Sequence, residues 1–279
     1  MTSPSPAVIL RNAGVYLLLL FGLLVTVAPF VLSVMTAFKT PEQFASESAL
    51  RPPSPATGEN FASLFGGERN FVAPIVVTAQ VVGLVTVGQL LFSVLAAYAF
   101  ARIEFRFRDG LFWLYLATLM VPQVVTIIPL YTLFSQLGIR NTFWALVLPF
   151  LFGSPYAIFL LREYFRSIPE DLISAARLDG AGTLRILRSI VVPLSRPILT
   201  TLTIITVVTH WNNFLWPLII TSGRTWQTVT VATAGLQSQY NGNWTLVMAA
   251  TTVAIAPLLL LFAVFQKNIV SSIAITGFK

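Results

Sequence analysis

Residues 167–197 read SIPEDLISAARLDGAGTLRILRSIVVPLSRP, a thirty-one-residue polar island between long apolar runs. Ser167 followed three residues later by Glu170 is a capping-box pattern, and Pro169 lies inside the first turn, where a missing N–H costs nothing. A helix is therefore expected to start here. Leu172, Ala175, Ala176 and Asp179 follow at helical spacing and share one face, which is small in its middle. Gly180 can take a positive φ and end the helix. A second helix is expected from about Thr183, with Leu184, Leu187 and Val191 on one side and Arg185 and Arg188 on the other. Pro193 and Pro197 mark entry to the next apolar run. Two readings fit this helix, Asp-Gly turn, helix and proline stop. One is an amphipathic connector lying on a membrane with its arginines on lipid headgroups. The other is an element that docks on a soluble protein.

The surroundings of the island make it a membrane protein. Of 279 residues, 56% are hydrophobic and 10% charged, against roughly 25% charged in soluble domains; the mean hydropathy is +0.81. The expectation is an all-α membrane protein, one transmembrane domain over residues 1–279 with six transmembrane helices at about 13–37, 72–100, 110–134, 143–162, 198–221 and 244–265. Each is close to or above the roughly 20 residues that cross about 30 Å of hydrocarbon. The 143–162 run is short and contains Pro149, Gly153 and Pro155. No polar stretch is long enough to bury a core of its own. The first run, from Arg11 to Phe38, is too long for a signal-peptide core and no A-x-A site follows it, so it reads as a retained span.

Basic residues set the orientation. With the N-terminus inside, the inner segments hold Arg11, Arg102, Arg106, Arg108, Arg162, Arg166, Arg177, Arg185, Arg188, Arg196, Lys267 and Lys279, twelve in all. The outer segments hold Lys39, Arg51, Arg69, Arg140 and Arg224, five in all. Both termini are therefore expected in the cytoplasm. The net charge of +7 is mostly topology, and nucleic acid is not an expected partner. The outer loop from about Lys39 to Phe71 is rich in Pro, Ser, Gly and Glu. Its piece Glu59–Phe65 can form one or two amphipathic turns, and the loop reads either as a connector or as a contact for an extracytoplasmic partner.

Other classes lack parts. There is no cysteine and a single histidine, His210. With no intramembrane acids either, a catalytic constellation has almost no components, and no metal site or enzyme activity is expected. No G-x-x-x-x-G-K-[ST] loop is present to hold ATP. A secondary transporter or channel is the alternative reading, but it typically needs ionisable residues inside the membrane or a repeat architecture. Gln80, Gln89 and Gln123 are polar groups in apolar runs, which face the bundle or a cavity rather than lipid.

Ala175-Ala176-x-x-Asp179-Gly180-Ala181, followed by Ile190-x-x-Pro193-Leu194-x-x-Pro197, resembles the EAA loop of ABC importer permeases. The wider chain resembles the carbohydrate permeases of the maltose-permease type, in particular the G-subunit-like half. Leu95-Ala96-Ala97-Tyr98-Ala99-Phe100-Ala101-Arg102, Met120-Val121-Pro122, Ile128-Pro129-Leu130-Tyr131, Leu137-Gly138-Ile139-Arg140-Asn141-Thr142, Phe159-Leu160-Leu161-Arg162, Trp211-Asn212-Asn213-Phe214-Leu215-Trp216-Pro217 and Ile273-Ala274-Ile275-Thr276-Gly277 extend the likeness over most of residues 30–279.

The resemblance implies a type I ABC importer permease (MetI-like) fold with a cytoplasmic coupling helix, in the bacterial plasma (inner) membrane. It implies ATPase docking through Glu170, Ser174, Ala175, Ala176, Asp179, Gly180 and Ala181. The partners it implies are a second permease subunit in a heterodimer, two copies of a cytoplasmic ATPase that hold the ATP and Mg, and an extracytoplasmic solute-binding protein. A homodimer would also supply two docking loops. The solute class is sugars, with glycerophosphodiesters, polyols and amino sugars among those of relatives. Planar amides and aromatic rings bind sugars, so Trp211, Asn212, Asn213 and Trp216 are candidates to line the path, with interhelical packing as the other reading. The tail Ser271–Lys279 resembles the family's C-terminal segment, which can reach the ATPase. Three positions depart from the pattern: Ser174 stands where the family usually has Glu, Leu187 where an aromatic is common, and Asn213 where Glu is frequent. Glu170 or Asp171, one helical turn before Ser174, are the candidates to supply its missing charge.

Overall fold

The apolar runs fold as helices in the computed structural model, which describes residues 6–66, 70–237 and 242–276, with side chains over 12–66, 70–237 and 242–266. No strand occurs among the described residues. A helix satisfies its own backbone, the requirement hydrocarbon imposes. In chain order the elements are α1 (Pro6–Ala37), α2 (Pro41–Ser46), α3 (Glu59–Phe65), α4 (Val72–Arg102), α5 (Arg108–Ala117), a 3-10 turn (Thr118–Met120), α6 (Gln123–Gln136), α7 (Phe143–Val147), α8 (Pro155–Ser167) and α9 (Glu170–Leu178). There follow α10 (Thr183–Ile186), a π turn (Leu187–Val191), α11 (Val192–Leu194), α12 (Arg196–Trp211), α13 (Leu215–Ile220), α14 (Val229–Gly235) and α15 (Trp244–Thr276).

Among the described residues three helices are long and apolar enough to cross a membrane unaided: α1 from Asn12, α4, and α15 to Gln266. The other expected spans are broken, and proline is the main cause. In the 110–134 run, α5 with its 3-10 turn meets α6 at 98°. Pro122 has no N–H to continue the helix and pushes Val121 to an extended conformation (φ −82°, ψ 115°). In the 143–162 run, α7 ends at Val147 and α8 begins on Pro155, with irregular backbone over 148–154. The 198–221 run is α12 and α13, separated at Asn212–Phe214. An 80° bend at Ser195 divides the 183–194 helical run from α12.

The chain forms two compact units. The first comprises Met1–Phe71 and Thr233–Ala256. Here polar side chains order the described part of the expected outer loop from Lys39 to Leu64. Thr40 and Gln43 make a reciprocal capping box on α2. Lys39 is buried, and its Nζ donates to the Ser48 carbonyl at 3.0 Å. The Asn60 amide donates to the carbonyls of Ala37 and Lys39, both at 2.8 Å, and its oxygen accepts from Thr245 at 2.9 Å. The amphipathic piece Glu59–Phe65 is α3, with Asn60 and Leu64 buried.

The second unit comprises Val72–Ala232 and Pro257–Lys279. Its axis is α4, which packs along α8 and α12. Val77, Val81 and Val85 join Phe134, Leu146, Trp216 and Ile220 in one apolar cluster. Ala97 and Tyr98 join Phe112, Leu161, Phe165, Ile173, Ile186 and Leu202 in another. Between the clusters, α4 holds the irregular 148–154 backbone. Gln89 donates to the Phe150 carbonyl at 3.3 Å and accepts from Thr206 at 3.3 Å. Ser93 Oγ accepts from Ser154 N–H at 3.1 Å, and Tyr115 donates to the Gly153 carbonyl. Backbone groups freed at membrane depth need such partners. Of the three glutamines, Gln89 faces the bundle through these two bonds, whereas Gln80 and Gln123 are exposed, unlike the expectation.

Candidate functional site

The 167–197 segment forms the two expected helices, but its start differs from the capping-box pattern. Ser167 is the last residue of α8, and its hydroxyl bonds back to the Tyr164 carbonyl at 2.7 Å. Pro169 holds Ile168 extended (φ −69°, ψ 128°) and is itself the N-cap of α9, so Ser167 sits too far back to cap. The first turn of α9 instead carries Glu170 and Asp171, whose charges complement the positive end of the helix.

The two sides of α9 are sharply different. Ile173 is fully buried, and Ala176 and Ala181 pack against the Leu161–Phe165 cluster. Leu172, Ser174, Ala175, Leu178, Asp179 and Gly180 are exposed. Of the four residues expected to share a face, Ala176 turns toward the core and the other three look outward. Leu178 is 89% exposed and Leu172 46%, so two unburied leucines, one turn before and one turn after, flank Ala175, and Leu184 on α10 is 70% exposed. Leu184 was expected to share a side with Leu187 and Val191, but it is exposed while they are buried. Ile186, Leu187 and Val191 occupy the buried side, and the wider π turn at Leu187–Val191 alters the register there.

Gly180 has φ +78°. Ala181 N–H reaches the Ala176 carbonyl at 2.9 Å and Gly180 N–H the Arg177 carbonyl at 3.0 Å, the two bonds of a Schellman stop. A Cβ added at Gly180 meets nothing within 4 Å, so the position needs glycine for its dihedral and not for space.

One arginine ties this segment to the bundle, and a second braces the helices beside it. Arg102, the last residue of α4, donates from Nε (3.2 Å) and Nη2 (2.6 Å) to the Phe165 carbonyl. It also donates to the Ile168 carbonyl and forms an ion pair with Glu170. The second Glu170 oxygen lies 3.8 Å from Arg177. Arg162 on α8 makes the reverse connection. Its Nε donates to the Phe100 carbonyl near the end of α4 at 3.4 Å, and its other nitrogens reach Glu163 (2.7 Å) and Asp109 (3.5 Å). Its guanidinium lies over the Phe112 ring, 4.0 Å from the centroid. The contacts Ser93–Ser154, Phe100–Arg162 and Arg102–Phe165 advance together, so α4 and α8 run parallel. Their C-terminal carbonyls, beyond reach of the regular helical bonds, lie side by side at the negative ends of both dipoles, and the Phe165 carbonyl also accepts from Ile168 N–H at 3.3 Å. Each arginine satisfies the end of the other helix. In the sequence both stand as orientation charges and as members of family motifs, with no role of their own; the signal available was an arginine closing or interrupting an apolar helix.

The expected docking residues are thus divided. Ser174, Ala175, Asp179 and Gly180 are on the outward side, while Ala176 and Ala181 support it from below. Glu170 has both oxygens engaged by arginines of its own chain, so its charge is not the simple substitute for a carboxylate at Ser174.

The four candidate path residues stand around the end of α12. Trp211 is buried. Asn212 bonds its own helix, donating to the Val208 carbonyl at 2.8 Å. The Asn213 carbonyl accepts from Thr230 at 2.8 Å. Trp216 is buried, donates its indole N–H to the Ala145 carbonyl at 2.9 Å, and meets Phe134 edge-on at 5.8 Å. That bond pins α13 to α7. His210 lies 5.0 Å from the Phe150 ring. Among the described residues no group of three or more His, Asp or Glu side chains converges as a metal site requires. The expected tail contact falls on residues of which α15 includes the backbone to Thr276; residues 277–279 lie outside the described ones.

Comparison with known proteins agrees with this architecture. A family model described as "Binding-protein-dependent transport system inner membrane component" matches residues 89–275. An arabinooligosaccharides transport system permease protein, AraQ, from Halalkalibacterium halodurans is 32% identical over 227 residues, covering 81% of each chain. The sn-glycerol-3-phosphate transport system permease protein UgpE of Yersinia pestis is 32% identical over 262 residues, covering 90% of this chain and 92% of that one. A crystal structure of a bacterial ABC transporter involved in the import of the acidic polysaccharide alginate contains a chain that superposes with a TM-score of 0.85, at 21% identity, over 96% of this chain and 99% of that chain.

Proposed function

The chain belongs to the binding-protein-dependent transport system inner membrane component family, and from that premise we propose that it is one permease subunit of an ATP-driven importer. Its cargo is a sugar or sugar-like solute delivered by an extracytoplasmic binding protein. The fold of an ABC importer permease and the names of the relatives support this reading. The observation that carries it is the outward side of α9, where exposed Leu172 and Leu178 stand one turn before and one turn after Ala175 on a helix anchored through Ile173, with Leu184 exposed on the following helix α10. Exposed leucines around a small residue, outside the apolar runs, suit a protein cleft better than water.

Ser174, Ala175, Ala176, Asp179, Gly180 and Ala181 form the docking surface for a separate cytoplasmic ATPase, present in two copies, which holds ATP and Mg. Glu170 stands behind that surface. A second permease completes the pathway. Both termini are cytoplasmic, as the bias of twelve basic residues against five indicates. Trp211, Asn212 and Asn213 line the path at the end of α12, with Trp216 buttressing that wall through Ala145. Closure of the ATPase pair moves α9 and tips the bundle between inward- and outward-facing arrangements. The chain itself makes and breaks no bonds.

Mass spectrometry of the tagged chain purified in mild detergent tests the reading. Recovery with an ATPase and a second permease is the expected result. A chain recovered intact and alone demotes the 167–197 segment to a membrane-surface connector and restores the secondary-transporter alternative.

Ser174 offers a finer prediction. It is exposed, and the carboxylate one turn before it is engaged by Arg102 and Arg177. Ser174→Glu adds an uncommitted charge to the docking surface. We expect ATPase affinity to rise about three- to fivefold, the effect of an exposed charge pair of up to about 1 kcal/mol, and to lose that gain in high salt. Equal dissociation rates for both forms would show that no cationic partner faces this position.

A further inference from the structure

We propose that Arg102 is the positioning residue that carries movement of α9 into α4, with Glu170 as its partner; the inference rests on the importer reading above and specifies the link inside it. The Arg102 guanidinium grips both sides of the α8–α9 junction. On one side are the carbonyls of Phe165 and Ile168; on the other is the Glu170 carboxylate in the first turn of α9. A planar fork with five donors suits three acceptors at fixed angles, as a lysine does not. The Arg102 side chain is 10% exposed, so its bonds to the two carbonyls are little screened, whereas Glu170 is 56% exposed and meets the guanidinium at the surface.

The junction it bridges is short and non-helical. Ile168 and Pro169 are extended, so a push on α9 transmitted through the main chain would be taken up there; Ile173, in one apolar cluster with Ala97 and Tyr98 of α4, adds a contact that is not directional. Through Glu170 and Arg102 the push bypasses that link and arrives at the end of α4. That helix is 31 residues long and is the axis of its unit. Arg162 has a different place: its partners lie on α4, α5 and α8, so it braces the frame that Arg102 drives. Glu170 is thereby an internal strut whose second oxygen also steadies Arg177.

The chain has no cysteine, so two can be introduced cleanly for spin labels. Thr183 opens α10, which the bonded turn at Gly180 joins to the end of α9, and Leu91 lies on α4; both are exposed and lie outside the contacts described above. The complex with its ATPase is compared without nucleotide and with Mg-ATP and vanadate. In the otherwise unmodified chain the Thr183→Cys to Leu91→Cys distance stays the same in both states, because α4 follows α9. In Glu170→Gln and in Arg102→Gln the ATPase remains bound, but nucleotide shifts the distance by about 2 Å or more, the scale of helix displacements in switching proteins. Arg102→Lys is intermediate, and the double Gln variant is no worse than the more affected single one, since both break one link. A nucleotide shift already present in the unmodified chain overturns the proposal. So does a variant Glu170→Gln that keeps the distance constant, which decides the matter even where Arg102→Gln fails to fold. Loss of the ATPase from Glu170→Gln places that residue in docking and also overturns it. Absence of an ATPase from the unmodified complex sinks the importer reading itself, a separate outcome seen before any label is attached.

Discussion

Gly180→Leu is expected to lower both ATPase retention and solute uptake by about tenfold while leaving the chain folded. The reasoning is conformational. At φ +78° a residue with a Cβ meets its following carbonyl, at a cost of about 1–2 kcal/mol. That range changes the population of the native turn by a factor of about 5–30. Nothing lies within 4 Å of the new Cβ, so the core is not disturbed. What changes is the turn: relief of the strain requires breaking the Ala181 bond to Ala176, and with it the alignment of the exposed α9 surface with α10. Gly180→Asn is the control, because asparagine tolerates this region. Docking and uptake near the unmodified level in the Asn variant, with the Leu variant defective at equal folded yield, is the predicted pattern. A Leu variant that retains its ATPase and transports normally would remove the turn from the docking geometry.

Gly180 was legible in the chain because its role is local: an Asp-Gly pair after a helical face predicts a left-handed stop whatever surrounds it. The same holds for α4, an uninterrupted apolar run whose helix, Val72–Arg102, extends two residues past the expected 72–100. Apolar period is a poor guide where local and distant forces compete. Met120-Val121-Pro122 sits inside a run long enough to be one span, and its hydropathy hides a 98° break that the proline imposes. Ser167 and Glu170 have the spacing of a capping box, yet Pro169 moves the helix start beyond the serine and Glu170 turns to Arg102. That partner lies 68 residues away along the chain. Arg102 and Arg162 show the limit most clearly. Each is readable as a positive charge at the cytoplasmic edge of an apolar helix. That each closes the other's helix follows only from the parallel packing of α4 and α8, which neither residue's neighbours encode. Trp216 belongs with them: its amphipathic ring beside two asparagines suggests a solute wall, while its bond to Ala145 depends on a helix some 71 residues earlier.

The level between the two apolar clusters is where the bundle is least forgiving, and Gly88→Val tests it. A Cβ at Gly88 would lie 2.5 Å from Leu151 Cδ1 and 2.7 Å from the Leu151 carbonyl oxygen. The first contact can be relieved by a rotamer change; the second is backbone and cannot. Valine must therefore drive α4 and residues 148–154 apart. Those residues are irregular and owe their satisfied backbone to the neighbours of Gly88, through the bonds from Gln89 to Phe150 and from Ser154 to Ser93. Overpacking of this kind costs about 1–3 kcal/mol, and each buried group left unpaired adds about 1–3 kcal/mol. The sum lowers the midpoint of thermal unfolding in detergent by about 10 °C, or prevents a monodisperse preparation altogether, at the 2–4 °C per kcal/mol typical of chains slightly shorter than this one. Gly83→Val separates packing from helix propensity. It lies in the same helix, and nothing is within 4 Å of its added Cβ. Both variants make the same exchange of glycine for valine, so the difference between them isolates the contact with Leu151. Equal midpoints for the two variants would mean that α4 and the 148–154 segment are not in close contact in the folded protein. A large gap would locate the tightest helix-to-backbone approach beside the Gln89–Thr206 bond, where α4, the broken span and α12 meet. A bundle seized at that level cannot tip one helix without carrying the others, which is the mechanical property a strut at the end of α4 requires.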